Sequence, residues 1–168
     1  KSEDGEFQLN FGGYTQIRYT MNWRDDAPSD EDDFARDFSV QRTRLFITGN
    51  YTDALDYMLR FNVNDSSDVD LHSAWGQWNF ASNWNVRFGL FGEAMSREDW
   101  ANPQDLLGID YSNNDSTFGI GSSIGAQLHY TGTRQRWWAS LSNGAFGTQN
   151  TFGNLDVADL LFTGRWEY

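Results

Sequence analysis

The sequence predicts an all-β protein, an antiparallel up-and-down transmembrane β-barrel to which this chain of 168 residues contributes about eight strands. Three observations lead to this fold class. Apolar and polar residues alternate over long stretches, the connections between these stretches alternate in length, and the composition combines 17% aromatic residues and 16 Gly with only 2 Pro. Such a composition argues against both a disordered chain and a helical bundle.

The longest alternation is FQLNFGGYTQIRYTMNW, from Phe7 to Trp23. Its odd-numbered residues are mostly apolar, and most of the residues between them are polar. Successive side chains of a strand point to opposite faces, so this stretch predicts a strand with one apolar and one polar face. A transmembrane strand needs only ~9–11 residues, so the stretch is long enough to span a bilayer.

The same period of two recurs along the chain. It is clear in residues 55–64, 84–90, 123–130 and 158–168, and less regular near 38–51, 69–80 and 137–146. With the first stretch, these segments make about eight strands joined in sequence order, which predicts a meander.

The predicted connections alternate between short and long. YTDAL, ASNWN and TGTRQR are tight, whereas RDDAPSDEDDFARD, residues 93–121 and GTQNTFGN are long. Short turns on one rim and long loops on the other are typical of outer-membrane barrels, whose turns face the periplasm. We see no domain boundary, and we interpret residues 1–168 as a single barrel unit or as the N-terminal half of one.

A soluble antiparallel sandwich that binds carbohydrate would also show alternation. Three observations favour the barrel: several segments alternate well beyond the roughly 5–6 residues of an ordinary strand, arginines occupy mid-strand polar positions, and aromatic residues cluster near both strand ends, as two interfacial girdles require. A small closed outer-membrane barrel that acts as an enzyme or adhesin is a further alternative.

Several segments resemble the phosphate-selective porins of the bacterial outer membrane, often called the O and P porins. FSVQRTRLFITGNYTDALDYMLRFNVN is similar to the family's paired-arginine strand, tight turn and following strand. DLHSAWGQWN followed by NVRFGLFGEAMSRED is similar to the strand that leads into the family's long third loop. The resemblance runs from about residue 7 to the end of the chain, and its more specific residues are Arg42, Arg44, Arg87, Gly89 and Gly92.

The resemblance implies a trimeric outer-membrane channel of about 16 strands, with the third loop folded inward to narrow the pore. It implies passive passage of small hydrophilic solutes or ions, a possible preference for anions such as phosphate, and contact with outer-membrane lipid. About eight strands would be half of such a barrel, so we expect a piece of a longer protein. Several chains completing one barrel, or closure as an eight-stranded barrel filled by side chains, are the alternatives.

Six arginines occupy polar strand positions that we predict to line the pore: Arg18, Arg42, Arg44, Arg60, Arg87 and Arg165. A guanidinium group stays charged and binds phosphate through two N–H groups, so a strip of arginines would attract oxyanions in a lumen. The alternative is that these arginines pair with acids of an inward loop and stiffen the wall. The only lysine is Lys1 and the net charge is −12, which counts against phosphate selectivity.

Residues 93–121 form a connection too long for an ordinary turn, so we expect it to be functional or disordered. A solvated outer loop is the alternative to a constriction loop. As a constriction loop it would bring these residues to the pore: Arg97, Glu98, Asp99, Trp100, Asp105 and Asp110.

Other chemistry has little support in the sequence. The acidic segment DDAPSDEDDFARD would suit Ca²⁺ but lacks EF-hand spacing, so we favour a solvated loop. We expect no cofactor, metal or catalytic residues, because His72 and His129 are far apart, Cys is absent, and no nucleophile elbow or phosphate-binding loop is present. With 24 Asp plus Glu against 12 Lys plus Arg, nucleic acid is not an expected partner.

Overall fold

The computed structural model describes residues 6–24, 34–63, 68–101, 105–106, 108, 111–144 and 160–168. Its eight strands are β1 (Phe7–Trp23), β2 (Phe34–Tyr51), β3 (Leu55–Val63), β4 (Val69–Ala81), β5 (Trp84–Gly92), β6 (Ser122–Thr131), β7 (Arg136–Ser142) and β8 (Leu161–Glu167). Two short helices, α1 (Arg97–Trp100) and α2 (Asn113–Phe118), lie between β5 and β6. Of the acidic loop predicted at residues 25–37, residues 25–33 lie outside the described residues, and residues 34–37 belong to β2 and not to a loop.

The eight strands form one antiparallel sheet in which strands adjacent in sequence are adjacent in space, from β1 to β8. The predicted up-and-down meander and its number of strands are therefore confirmed. Within the described chain, β1 and β8 do not pair with each other, so the sheet is open and these two strands are its edges. Neither described helix has the length and apolar character needed to cross a bilayer.

The connections separate by length between the two rims of the sheet. Residues 52–54, 82–83 and 132–135 form the three short turns, which all lie at one rim because the strands run antiparallel in order. The strand ends that lead into the longer connections, among them residues 93–121, lie at the other rim. The separation of short turns from long loops is the pattern that the sequence predicted.

Two extra residues explain why the alternation is less regular in β2 and β4. Arg42 pairs with Gln16 while Val40 pairs with Ile17, so Gln41 is an additional residue in β2. The register between β3 and β4 likewise skips His72. Each bulge changes which residues, odd or even in number, face a given side, so that Phe38 before the bulge in β2 and Leu45 after it lie on the same face.

Strand β7 ends earlier than the predicted segment 137–146. It stops at Ser142, and the chain bends at Asn143 and Gly144. Gly144 has a φ of 100°, a left-handed conformation that an extended strand does not adopt. At another boundary, β2 begins at Phe34, four residues before the predicted start, where Phe34 pairs with Trp23 at the end of β1.

One face of the sheet, called here the apolar face, leaves large hydrophobic side chains uncovered. Phe11, Phe38 and Phe162 are 73%, 74% and 73% exposed, and Leu160 is 68% exposed. A second sheet packed on this face would bury them, as in a sandwich. The described strands form a single layer, so the sandwich is wrong as the architecture of this part of the chain.

Aromatic pairs lie on the apolar face near both rims. At the rim with long loops, the ring centroids of Tyr19 and Phe38 are 4.5 Å apart and those of Trp23 and Phe34 are 6.0 Å apart. At the rim with short turns, Trp84 and Tyr130 are 4.8 Å apart, and a second pair is Trp137 with Trp166 at 5.9 Å. Two such bands are what the headgroup regions of a bilayer favour.

Candidate functional site

The opposite face of the sheet, called here the polar face, carries all six arginines that were predicted to line a pore. Arg44 pairs with Asn62 of β3, and Arg87 pairs with Gln77 of β4. Strand alternation and register place the other four on the same face: Arg18, Arg42, Arg60 and Arg165.

Four of these arginines lie on the adjacent strands β1, β2 and β3, and we call Arg18, Arg42, Arg44 and Arg60 the arginine cluster. Arg44 is only 7% exposed, and its Nε donates a hydrogen bond to Asn62 Oδ1 at 2.9 Å. Arg44 and Arg60 are close enough for their positive charges to repel each other. The site therefore concentrates positive charge on one part of the polar face.

His72 lies beside the arginine cluster because the bulge in β4 turns it toward the polar face. Its Nδ1 is 2.9 Å from Ser73 Oγ, and the charges of Arg42, Arg44 and Arg60 all act on its ring. Spacing in the sequence gave His72 no predicted role. Its position next to the cluster depends on the bulge, which periodicity did not locate.

The loop between β5 and β6 contacts the arginine cluster through Tyr111. The guanidinium carbon of Arg42 lies 5.4 Å from the centroid of the Tyr111 ring, within the range of a cation–π interaction. Burial raises the pKa of Tyr111 above its usual value, while the nearby charges of Arg44 and Arg42 act to lower that pKa. The phenol is therefore neutral near pH 7 and presents an uncharged polar group to the cluster.

Arg87 belongs to a separate network of side chains on β3, β4 and β5. Its guanidinium carbon lies 4.0 Å from the ring centroid of Trp75, and its Nη2 donates to Gln77 Oε1 at 2.9 Å. Gln77 Nε2 in turn donates to Asp56 Oδ2 at 3.3 Å, and Asn79 Nδ2 donates to the same oxygen at 2.8 Å. These contacts tie three strands together on the polar face.

Arg165 contacts the loop directly. Its Nη1 donates to the Ser96 carbonyl oxygen at 2.6 Å, its Nη2 donates to Glu167, and its guanidinium carbon lies 5.5 Å from the Trp138 ring centroid. Nearby, the buried carboxylate of Glu93 accepts hydrogen bonds from hydroxyl groups of β7 and β8. Arg42 and Arg165 thus contact the same loop from β2 and β8.

The predicted loop residues differ in their surroundings. Glu98 accepts hydrogen bonds from Ser112 N at 2.6 Å and Ser112 Oγ at 2.5 Å, which ties α1 to the residue that precedes α2. Arg97 and Asp105 are exposed. Asp99 and Trp100 belong to α1, and Asp110 lies outside the described residues.

Several residues of the site carried no recognisable signal in the sequence. Tyr111 and Glu93 were known only as parts of a long connection, and no motif marks them. No motif marks Trp138 either; Trp137 and Trp138 are adjacent in β7, and the structure places Trp137 on the apolar face and Trp138 beside Arg165. Across the described residues, no group of three or more His, Asp or Glu side chains is arranged to hold a metal ion.

A family model described as phosphate-selective porin O and P matches residues 11–167. Comparison with curated protein sequences finds no match. The family match covers nearly the whole chain and includes every strand that carries one of the six arginines. The chain therefore belongs to the phosphate-selective porins O and P.

Proposed function

We propose that this chain forms part of the wall of a water-filled channel in the bacterial outer membrane. Small hydrophilic solutes or ions cross the channel by passive diffusion, and anions such as phosphate are preferred. The activity is transport without a covalent step, as expected of a channel family. The observation that carries this proposal is the arginine cluster, which occupies the face of the sheet opposite an exposed apolar face.

The two faces of the sheet suit two different solvents. A monomeric soluble protein rarely exposes a contiguous apolar patch of more than a few hundred Å², whereas Phe11, Ile17 and Phe38 are all more than half exposed on β1 and β2. Hydrocarbon is the solvent that accepts such a face. Water must then fill the space next to the polar face, because charged guanidinium groups are costly in hydrocarbon.

The arginine cluster supports anion preference within that aqueous space. Selectivity in a channel depends on the charges that line the narrow part of the path rather than on the net charge of the chain. The charges of Arg42, Arg44 and Arg60 all act on the ring of His72, and the charge of Arg44 also acts on Arg60. Guanidinium groups offer several N–H donors to a tetrahedral oxyanion, which favours phosphate among small anions.

We also propose that residues 93–121 narrow the channel. Ser96 of this loop contacts Arg165 on β8, and Tyr111 contacts Arg42 on β2. β2 and β8 are six strands apart in the sheet, so a loop that contacts both crosses the polar face. A solute that follows the polar face has to pass this loop where it lies against the arginine cluster.

The open edges of the sheet support further strands in the assembled barrel. The outer N–H and C=O groups of β1 and β8 would each cost several kcal/mol if they were left unpaired in hydrocarbon. We propose that this chain is the N-terminal half of a barrel of about 16 strands, which assembles as a trimer. The mass of the native polypeptide tests the first part, and the mass of the detergent-solubilised complex tests the second.

Planar-bilayer recording of the complete protein tests the channel. We expect discrete conductance steps, a reversal potential in a KCl gradient that indicates anion preference, and reduction of the chloride current by added phosphate. Total absence of conductance steps would contradict the channel. Conductance steps with cation preference would contradict the proposed role of the arginine cluster but would still support a channel.

A further inference from the structure

Glu93 fastens the start of the 93–121 loop to strands that are distant in sequence. Glu93 directly follows β5 and is 0% exposed. Its Oε2 accepts hydrogen bonds from Thr163 Oγ1 at 2.9 Å and from Ser140 Oγ. Because β7 and β8 are two and three strands away from β5, this carboxylate directs the loop away from its own strand and toward the β8 edge.

Arg165 holds the same loop three residues later. Its Nη1 donates to the carbonyl oxygen of Ser96 at 2.6 Å. Glu167 and the ring of Trp138 contact the guanidinium group from other sides. Arg165 follows Thr163 by two residues on the same face of β8, so both attachments of the loop lie along one strand.

The far part of the loop lies against the arginine cluster. Tyr111 contacts Arg42 on β2, and Glu98 connects α1 to Ser112, the residue that follows Tyr111. Glu93 N also donates to the Gly121 carbonyl oxygen at 3.0 Å, which joins the two ends of the loop. A shift of the attachment at β8 would therefore be transmitted to the position of Tyr111 beside the cluster.

We infer that Glu93 and Arg165 are positioning residues that set how far the loop extends over the arginine cluster, and so the width of the passage beside the loop. Arg165 affects solutes through the loop that it holds, and it does not bind solutes directly. This inference rests on the proposed channel function. It assigns Arg165 a different role from the pore-lining one that the sequence predicted.

Two loop-attachment variants of the complete protein test the inference by single-channel recording. Ser140→Ala combined with Thr163→Val removes both hydroxyl donors to Glu93 without changing any charge. Arg165→Met removes the donor to Ser96. We expect both variants to spend about tenfold more time than the wild-type protein at conductance levels other than the main open level of the wild type. The reason is that hydrogen bonds to charged groups are among the stronger ones in proteins.

Arg134→Met is the matched control, since Arg134 is an exposed arginine in the short turn 132–135. It should leave the conductance levels of the wild-type protein unchanged. Arg165→Lys keeps one donor within reach of Ser96 and should restore much of the steady conductance. If Arg165 instead bound solutes directly, Arg165→Met would reduce anion selectivity, and Ser140→Ala combined with Thr163→Val would behave like the wild-type protein. That result would overturn the inference.

Hydrogen exchange of the backbone amides of residues 94–98 gives a readout that does not depend on conductance. We expect faster exchange in both loop-attachment variants than in the wild-type protein or Arg134→Met, and equal rates would overturn the attachment. A wild-type protein that forms no channels would count against the proposed function. Normal wild-type channels combined with unaltered variants would count against the positioning roles alone.

Discussion

At the scale of single residues, the arginines of the polar face differ in what surrounds them. Arg44 is buried and hydrogen-bonded to Asn62, Arg87 lies on Trp75 within an amide network, and Arg165 contacts a loop carbonyl. The sequence treated all of them as equivalent positions on a strip. Their contacts show that a shared face does not give a shared chemical environment.

Removal of the acceptor of Arg44 should reduce stability. Asn62→Leu leaves the buried Nε of Arg44 without the Asn62 oxygen, and a hydrogen bond to a charged group contributes about 1.5–3 kcal/mol. We expect the free energy of unfolding of the complete protein to fall by about 1.5–3 kcal/mol. Denaturant titration in lipid vesicles measures this free energy. Asn22→Leu, at an exposed position near the end of β1, is the matched control and should change it little. Equal stability of the two variants would show that Arg44 does not need this partner.

Neutralisation of two arginines should weaken anion preference. Arg42→Gln combined with Arg44→Gln removes two positive charges from the cluster while keeping side chains of similar polarity. We expect the reversal potential in a KCl gradient to move toward zero or to cation preference, and block by phosphate to need at least tenfold more phosphate, since each lost charge-assisted contact is worth about 1.5–3 kcal/mol. Arg134→Gln should retain the wild-type values. An unchanged reversal potential in the double variant would place the selective region elsewhere.

At the scale of elements, β5 shows how a backbone requirement shapes a strand. Gly89 has a φ of 123°, and a Cβ built on it would lie 2.2 Å from the carbonyl oxygen of Ala74 on β4. Only glycine adopts this conformation at low cost, and the close approach of β4 excludes a side chain as well. This gives a physical reason for a residue that the sequence singled out only by resemblance.

Gly89→Ala should therefore destabilise the sheet at β4 and β5. The strained backbone costs on the order of 1–3 kcal/mol, and the clash with Ala74 adds to that cost. Gly76→Ala on β4 is the matched control, because a Cβ at Gly76 meets nothing within 4 Å. We expect folding into lipid vesicles to fail or slow for Gly89→Ala and to proceed normally for Gly76→Ala. Folding is measured by the heat-modifiable shift of the folded protein on gel electrophoresis. Similar behaviour of both variants would contradict the strain argument.

At the scale of the whole molecule, the described strands form a single open layer with different chemistry on its two faces. The apolar face carries aromatic bands near both rims, and the polar face carries the arginines and one long loop. A soluble protein of this size would cover its apolar side with a second layer. The family match and the uncovered face both support the proposed lipid-bilayer environment.

Adjacent residues on the two faces offer a direct test of this environment. Phe11→Arg places a charge on the apolar face, where lipid exposure costs up to about 2–4 kcal/mol at the bilayer midplane. Asn10→Arg places the same charge one residue away on the polar face, which is proposed to face the water-filled channel, so its cost should be small. We expect the free energy of folding into vesicles to drop for Phe11→Arg only. Equal costs would show that the two faces meet the same solvent.

Local alternation predicted the strands and the face on which each arginine lies, and the succession of these segments along the chain predicted the meander. Side chains in a strand alternate with every residue, so this information is present within a few neighbouring positions. The same local rule failed at Gln41 and His72, where one added residue changes the register, and it gave no warning that β7 would end at Ser142.

Which parts of the loop contact which strands was decided only by the tertiary structure. Glu93 and Thr163 are separated by 70 residues, and Tyr111 meets Arg42 across the polar face. Such contacts depend on the register of many strand pairs and on the path of a loop with no repeating pattern, and neither is encoded in the spacing of nearby residues. The sequence alone therefore determined which residues make up the polar face. The attachment of the loop that crosses this face was determined only by the tertiary structure.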